Sequence, residues 1–156
     1  MFIKKKNKKH NKITSRKDIH PDYQWDVKSL YKSIEDWEKD FQKAEELRNE
    51  FTKHKDEFFS NDSSFLQCLL LKDKISKLIQ KLFTYSHMRK DEDNNNEIHQ
   101  SIYYRAAGLL TKIEDSLSFI QPAILSLDYE TLRKWIKKNS GLEIYEHYLE
   151  GIYRKK

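Results

Sequence analysis

Three glycines and two prolines are all that punctuate a chain of 156 residues. That scarcity constrains the fold more than any motif does. Hairpins and sandwiches need frequent turns, and tight turns draw on glycine and proline at fixed positions. A chain so short of both must run in long helices joined by a few polar turns. Charged residues at 35% and hydrophobic ones at 37% suit helices with one charged face. The expected fold class is therefore all-α, with about five helices in an antiparallel, bundle-like arm. Residues 18–156 form one domain, long enough to bury a core.

The apolar spacing places the helices. After a leading segment rich in aromatics (Tyr23, Trp25, Tyr31) and broken by Pro21, Ser33 reads as an N-cap with Asp36 three residues on. Ile34, Trp37, Phe41, Ala44, Phe51 and Phe58 then make one seam, with Arg48 at the skipped position. Leu30, Tyr31, Tyr23 and Trp25 are expected to be pinned onto the helical body. Asn61 to Ser64 cap a second helix carrying Leu71, Ile75, Leu78, Leu82 and Tyr85. A third begins after Asn94–Asn96 and repeats from Ile98 through Ile102, Ala106, Leu109, Ile113 and Leu117 to Ile120. Gly108 inside it costs about 1 kcal/mol against alanine, which suggests close packing there. Pro122 breaks or kinks the path. Asp128 caps a short fourth helix with Leu132, Trp135 and Ile136, stopped by Asn139–Gly141. A fifth starts near Leu142.

Charge is unevenly placed. Residues 1–17 hold eight of the 30 lysines and arginines and no acid; the other 22 face 25 acids, so the body is −3. A block of like charges repels itself, and the expectation is a basic disordered tail over residues 1–17. Such a tail attracts anionic surfaces or nucleic acid. The body offers no groove or base recognition to support that, so nucleic acid is not an expected partner. The longest apolar run, Phe65–Leu71, is far short of the roughly 20 residues a membrane span needs, and no apolar stretch follows the basic start, so no membrane is expected and the cytoplasm is the expected location. Cys68 is the one cysteine, which excludes an internal disulfide or a cysteine-built zinc site.

Two constellations could carry chemistry. In FTYSHMRKDEDNNNE (Phe83 to Glu97), His87 and Asp91 are four apart on one helix face, a spacing that suits two metal ligands or a base and its orienter. Glu92, Asp93 and His99 lie nearby. The same acids and asparagines also make a turn and a helix cap, and that is the favoured reading. In EIYEH, Glu143 and His147 repeat the spacing, with Glu146 and Glu150 close; a charged helix face accounts for them. None of the six histidines is followed by glutamate, so the chain has no HExxH zinc-peptidase motif. Three glycines leave no phosphate loop either. No catalytic, metal-binding or substrate-binding residue is assigned.

The order of the segments says more. SRKDIHPDYQWDVKSLYKSIEDWEKDF (Ser15 to Phe41) resembles the opening of oligoendopeptidase F, a zinc metallopeptidase of the thimet-oligopeptidase-like family. The match lies in Ser15, Arg16, Pro21, Tyr23, Trp25, Asp26, Leu30, Tyr31, Trp37 and Phe41. Phe83 to Glu97, YYRAAGLLTKIEDSLSFIQPAILSL and IYEHYLEGIYRKK follow in the family's order, so the resemblance covers about residues 15–156. It implies the N-terminal helical region of a cytoplasmic enzyme that hydrolyses short peptides in an enclosed cavity, with this arm covering the cavity. Its zinc ligands and general base lie far downstream of the matched region. The resemblance therefore implies a chain truncated before the HExxH part, inactive alone, with zinc bound by the missing portion and a separately encoded catalytic half as partner. Two readings stand beside it: a stand-alone helical protein-binding module, and weak anionic-surface or nucleic-acid binding through the basic tail.

Overall fold

The computed structural model describes residues 16–154. Residues 1–15 of the expected basic tail lie outside the described residues; position 16 opens a 3-10 turn, Arg16–Asp18. Two more 3-10 turns, Pro21–Tyr23 and Val27–Ser29, carry the leading segment. Pro21 sits at the start of its turn, where a missing N–H costs nothing.

Three long helices follow: α1 (Ile34–Lys53), α2 (Asp62–Glu92) and α3 (Glu97–Leu117). Each begins at a side-chain cap. Ser33 accepts from the Asp36 N–H, Asn61 from Ser63 and Ser64, and Asn96 from His99, each satisfying amides the helix cannot pair itself. The chain then turns through α4 (Ile120–Ser126), α5 (Tyr129–Lys138, capped by Asp128), a 3-10 stretch at Ser140–Tyr145, and α6 (Glu146–Tyr153). Among the described residues no strand occurs. The all-helical reading holds, with α4 as a seven-residue piece between the longer helices. The third helix stops at Leu117 rather than Ile120, and Pro122 falls in the first turn of α4, where it breaks no bond.

α1 and α2 run antiparallel, as do α2 and α3. Trp37, fully buried, donates its indole N–H to the Leu82 carbonyl at 3.1 Å. Arg105 on α3 grips Glu38 on α1, one of its two bonds being 2.7 Å. Arg48, the polar break in the first seam, reaches across to α3: its Nε donates to the Lys112 carbonyl at 3.2 Å and to Ser116 Oγ at 2.9 Å. The seam lacks an apolar residue there because an inter-helix bond takes its place.

The C-terminal helices lean on the first half of α2. Asp62 accepts from Lys138 Nζ at 2.6 Å and from Asn139 at 3.4 Å. Tyr145 donates to Asp73 at 2.7 Å, and Phe65 packs against Trp135 with centroids 5.7 Å apart. Tyr153 points its hydroxyl at the Ile124 and Leu127 carbonyls, 2.8 Å from each, closing α6 onto α4.

Three packing expectations differ from the structure. Leu30 and Tyr31 do join the core, but Tyr23 and Trp25 are 84% and 55% exposed. Ile98 is exposed, and its neighbour His99 takes the inward position. Gly108 has nothing within 4 Å of where a Cβ would stand; the tight glycine is Gly141, whose Cβ would meet Leu66 Cδ2 at 2.5 Å.

Candidate functional site

α2 ends at Glu92 and α3 begins at Glu97, so the acid- and asparagine-rich stretch is the turn between them. Its side chains serve the backbone. Asp93 accepts from the Asn95 N–H at 3.1 Å, and Asn96 from the His99 N–H at 3.1 Å. This is Asx-type turn chemistry and capping.

His87 and Asp91 do share a face, with Nε2 and Oδ2 3.6 Å apart and both side chains about half exposed. The ring lies between Phe83 and Tyr103, at 5.7 and 5.5 Å. Glu92, Asp93 and His99 do not join the pair; among the described residues no three His, Cys, Asp or Glu side chains converge to hold a metal. His99 faces another way. It is 8% exposed, and its Nε2 accepts from Arg89 Nη2 at 2.9 Å. Burial, and then the Arg89 charge, hold His99 below the ordinary histidine range. Arg89 Nη1 also donates to Glu92 Oε2 at 2.9 Å, and Arg16 pairs with the other Glu92 oxygen. Arg89 Nε, His99 Nδ1 and Glu92 Oε1 are buried without a hydrogen-bond partner, so Arg16 meets Glu92 as an ion pair and not as an aligned hydrogen bond.

That Arg16–Glu92–Arg89–His99 cluster is the polar centre sequence reasoning missed. One signal was available: Arg89 and Glu92 stand three apart on a helix, the reach of a side-chain pair. Glu92 and His99 were read as neighbours of His87 and Asp91, and the inward place of His99 was hidden because it and Ile98 both fit a 3–4 spacing to Ile102.

The second constellation is divided between two elements. Glu143 belongs to the 3-10 stretch and His147 to α6; Glu143, Glu146 and His147 are all exposed. Glu150 accepts from Arg154 at 2.8 Å, an exposed pair worth a few tenths of a kcal/mol.

Two of the surface hollows lie beside the ends of α2. One of about 470 Å³ lies between the end of α1 and the start of α2, lined by Glu50, His54, Phe58, Gln67, Leu70 and Lys74 among others. The other, about 230 Å³, lies between the leading segment and the end of α2, lined by Arg16, Ile19, Tyr23, Gln24, Trp25, Asp91 and Glu92. Neither hollow gathers a nucleophile, a base and its orienter.

No family model matches the chain. Individual relatives do. Oligopeptidase PepF of Bacillus subtilis is 28% identical over 149 residues, which is 96% of this chain and 22% of that protein. The chromosomal oligoendopeptidase F of Lactococcus lactis subsp. cremoris is 26% identical over 146 residues, 92% of this chain and 24% of that protein. Among solved structures, oligoendopeptidase-F from Enterococcus faecium superposes with a TM-score of 0.71 at 25% identity, over 78% of this chain and 24% of its own. A putative peptidase from Chlamydophila abortus gives 0.73 at 24% identity over 92% of this chain and shows the same fold. The chain spans about a quarter of the length of the relatives it matches, and the collinear resemblance read from Ser15 onward is what these comparisons find.

Proposed function

We propose that this chain is the N-terminal, cavity-covering helical part of an oligoendopeptidase F-like zinc metallopeptidase for short peptides, and that it does not hydrolyse peptides alone. One observation carries the reading: similarity runs through nearly the whole chain yet accounts for only 22–24% of each relative. The zinc of that family does not fit the residues here. Among the described residues the histidine–carboxylate pairs, His20 with Asp22, His54 with Glu57 and His87 with Asp91, each stand without a third ligand, and zinc needs three or four. No step of peptide hydrolysis is therefore routed through the side chains of the described residues.

In this reading the arm contributes shape. A wall of packed helices over a peptide cavity excludes long chains and admits short ones. Zinc, held in the catalytic part of such an enzyme, would supply an activated water. Cytoplasmic location belongs to the same proposal; among the described residues no helix is long and apolar enough to cross a membrane.

The test is reconstitution. The purified chain is assayed for bound zinc and for cleavage of fluorogenic peptides, alone and with the part of Bacillus subtilis PepF beyond the matched quarter. The expected result is no chelator-sensitive cleavage alone and a gain when the two are combined. Stoichiometric zinc and chelator-sensitive cleavage by the chain alone would sink the proposal.

A further inference from the structure

The cluster at the α2–α3 turn brings two arginines and a histidine around the Glu92 carboxylate. Glu92, 6% exposed at its side chain, pairs with Arg16 of the leading segment and Arg89 of its own helix. Arg89 in turn donates to His99 on α3. We propose that His99 is the trigger of a proton-operated latch holding the leading segment, residues 16–25, against the α2–α3 turn.

The geometry fixes the sense of the switch. Neutral imidazole has one donor and one acceptor nitrogen. With Arg89 Nη2 at 2.9 Å, Nε2 is the acceptor, and the proton sits on Nδ1, which is buried without a partner. Protonation places an N–H on Nε2 as well. The Arg89 bond then becomes a contact between two donors and two positive charges in a desolvated place.

The groups facing His99 are Arg89 and Glu92 from α2 and Asp93 from the turn; Arg16 joins through Glu92, and Tyr85 on α2 lies within range of Arg89, Glu92 and Glu35 of α1. Glu92, with Asp93 beside it in the turn, then faces three cations instead of two, and the least tethered leaves. Arg89 is fixed in a 31-residue helix and His99 in a 21-residue one. Arg16 is held by a three-residue turn and by local bonds: its guanidinium to the Trp25 carbonyl at 3.1 Å, and Gln24 to the Arg16 and Ile19 carbonyls. No residue of the Pro21–Tyr23 turn is buried. Arg16 therefore goes, and the segment with it, which opens the hollow that Tyr23 and Trp25 line.

The sign follows from the lowered His99 value. Above the unfolded histidine value of 6.5 the latch is closed at full strength. It weakens as pH falls through the folded value, which lies lower.

The experiment is an NMR titration between about pH 8 and pH 5, on a His20→Gln background because His20 is a second histidine in the same segment. The ring signals of His99 are followed together with the amide signals and exchange rates of residues 19–25. The expected result is one shared midpoint, with protection of the Tyr23 and Gln24 amides falling about tenfold on acidification. His99→Gln keeps an acceptor for Arg89 and should abolish the pH dependence of residues 19–25 while α1 and α3 signals stay in place. Glu92→Gln should release the segment already at neutral pH. The latch is overturned if residues 19–25 titrate unchanged in His99→Gln, if His99 titrates without moving them, or if Glu92→Gln leaves their protection intact.

Discussion

At the scale of single residues, the inward-facing polar atoms decide more than the exposed ones. Trp37 is fully buried, stacks on Phe41 at 5.1 Å and carries Arg105 over its ring at 5.2 Å. Its N–H is satisfied by a carbonyl on another helix, so the side chain acts as both filler and cross-link. Trp37→Phe keeps much of the volume and loses the bond; the expected cost is about 1–3 kcal/mol, read from the urea midpoint of the variant. Cys68 is fully buried at the same core, and burial pushes its thiol up to about 12. A thiol reagent at about pH 8 should leave the native protein untouched and modify it once unfolded; rapid native labelling would mean the site opens. The turn acids show why the candidate residues were only partly legible. A run of Asp and Asn is compatible with metal binding but reads first as turn and cap, and the bonds from the Asn95 and His99 amides bear that reading out.

At the scale of elements, caps and apolar spacing were legible because both are local. Ser33, Asn61 and Asp128 cap where the sequence places them. What the spacing could not give is how closely two elements approach. The glycines make the case. Gly108 is helical, exposed and free of neighbours, so Gly108→Ala should stabilise by about 0.4–1 kcal/mol, seen as a raised melting temperature. Gly141 abuts Leu66, and Gly141→Ala should destabilise, since either Leu66 or the 3-10 stretch has to shift. The clasp between α2 and α5 has a pH sense of its own. A hydrogen bond from Lys138 holds the Asp62 carboxyl below its ordinary value of 3.8. Its contribution is present above that value and is lost as pH falls through the lower folded one. Hydrogen exchange in α5 should accordingly rise in strong acid, and in Asp62→Asn it should be raised already at neutral pH.

At the scale of the whole molecule, two groups of helices share one backbone element. α1 and α3 lie along α2 and are tied to each other by Arg48 and Arg105. α5 and the Ser140–Tyr145 stretch touch it near its start, through Asp62, Phe65 and Asp73, and α6 closes onto α4. Native-state hydrogen exchange should therefore show α4–α6 opening before α1–α3, because fewer buried contacts hold them; uniform exchange across all six helices would contradict the division. The whole-chain resemblance was legible from segment order alone, since order survives where individual residues drift. The polar cluster was not, because Arg16 and His99 are brought together by a long return of the chain that no local pattern records. The shared element has a mechanical consequence. At 31 residues and about 1.5 Å per residue, α2 is a rod of roughly 46 Å. A tilt of about 5° at one end swings the other by about 4 Å on that length. Whatever seats against the Glu92 end is thus geared to the Asp62 end, and the rod sets the spacing between two surfaces as a strut sets the width of a frame.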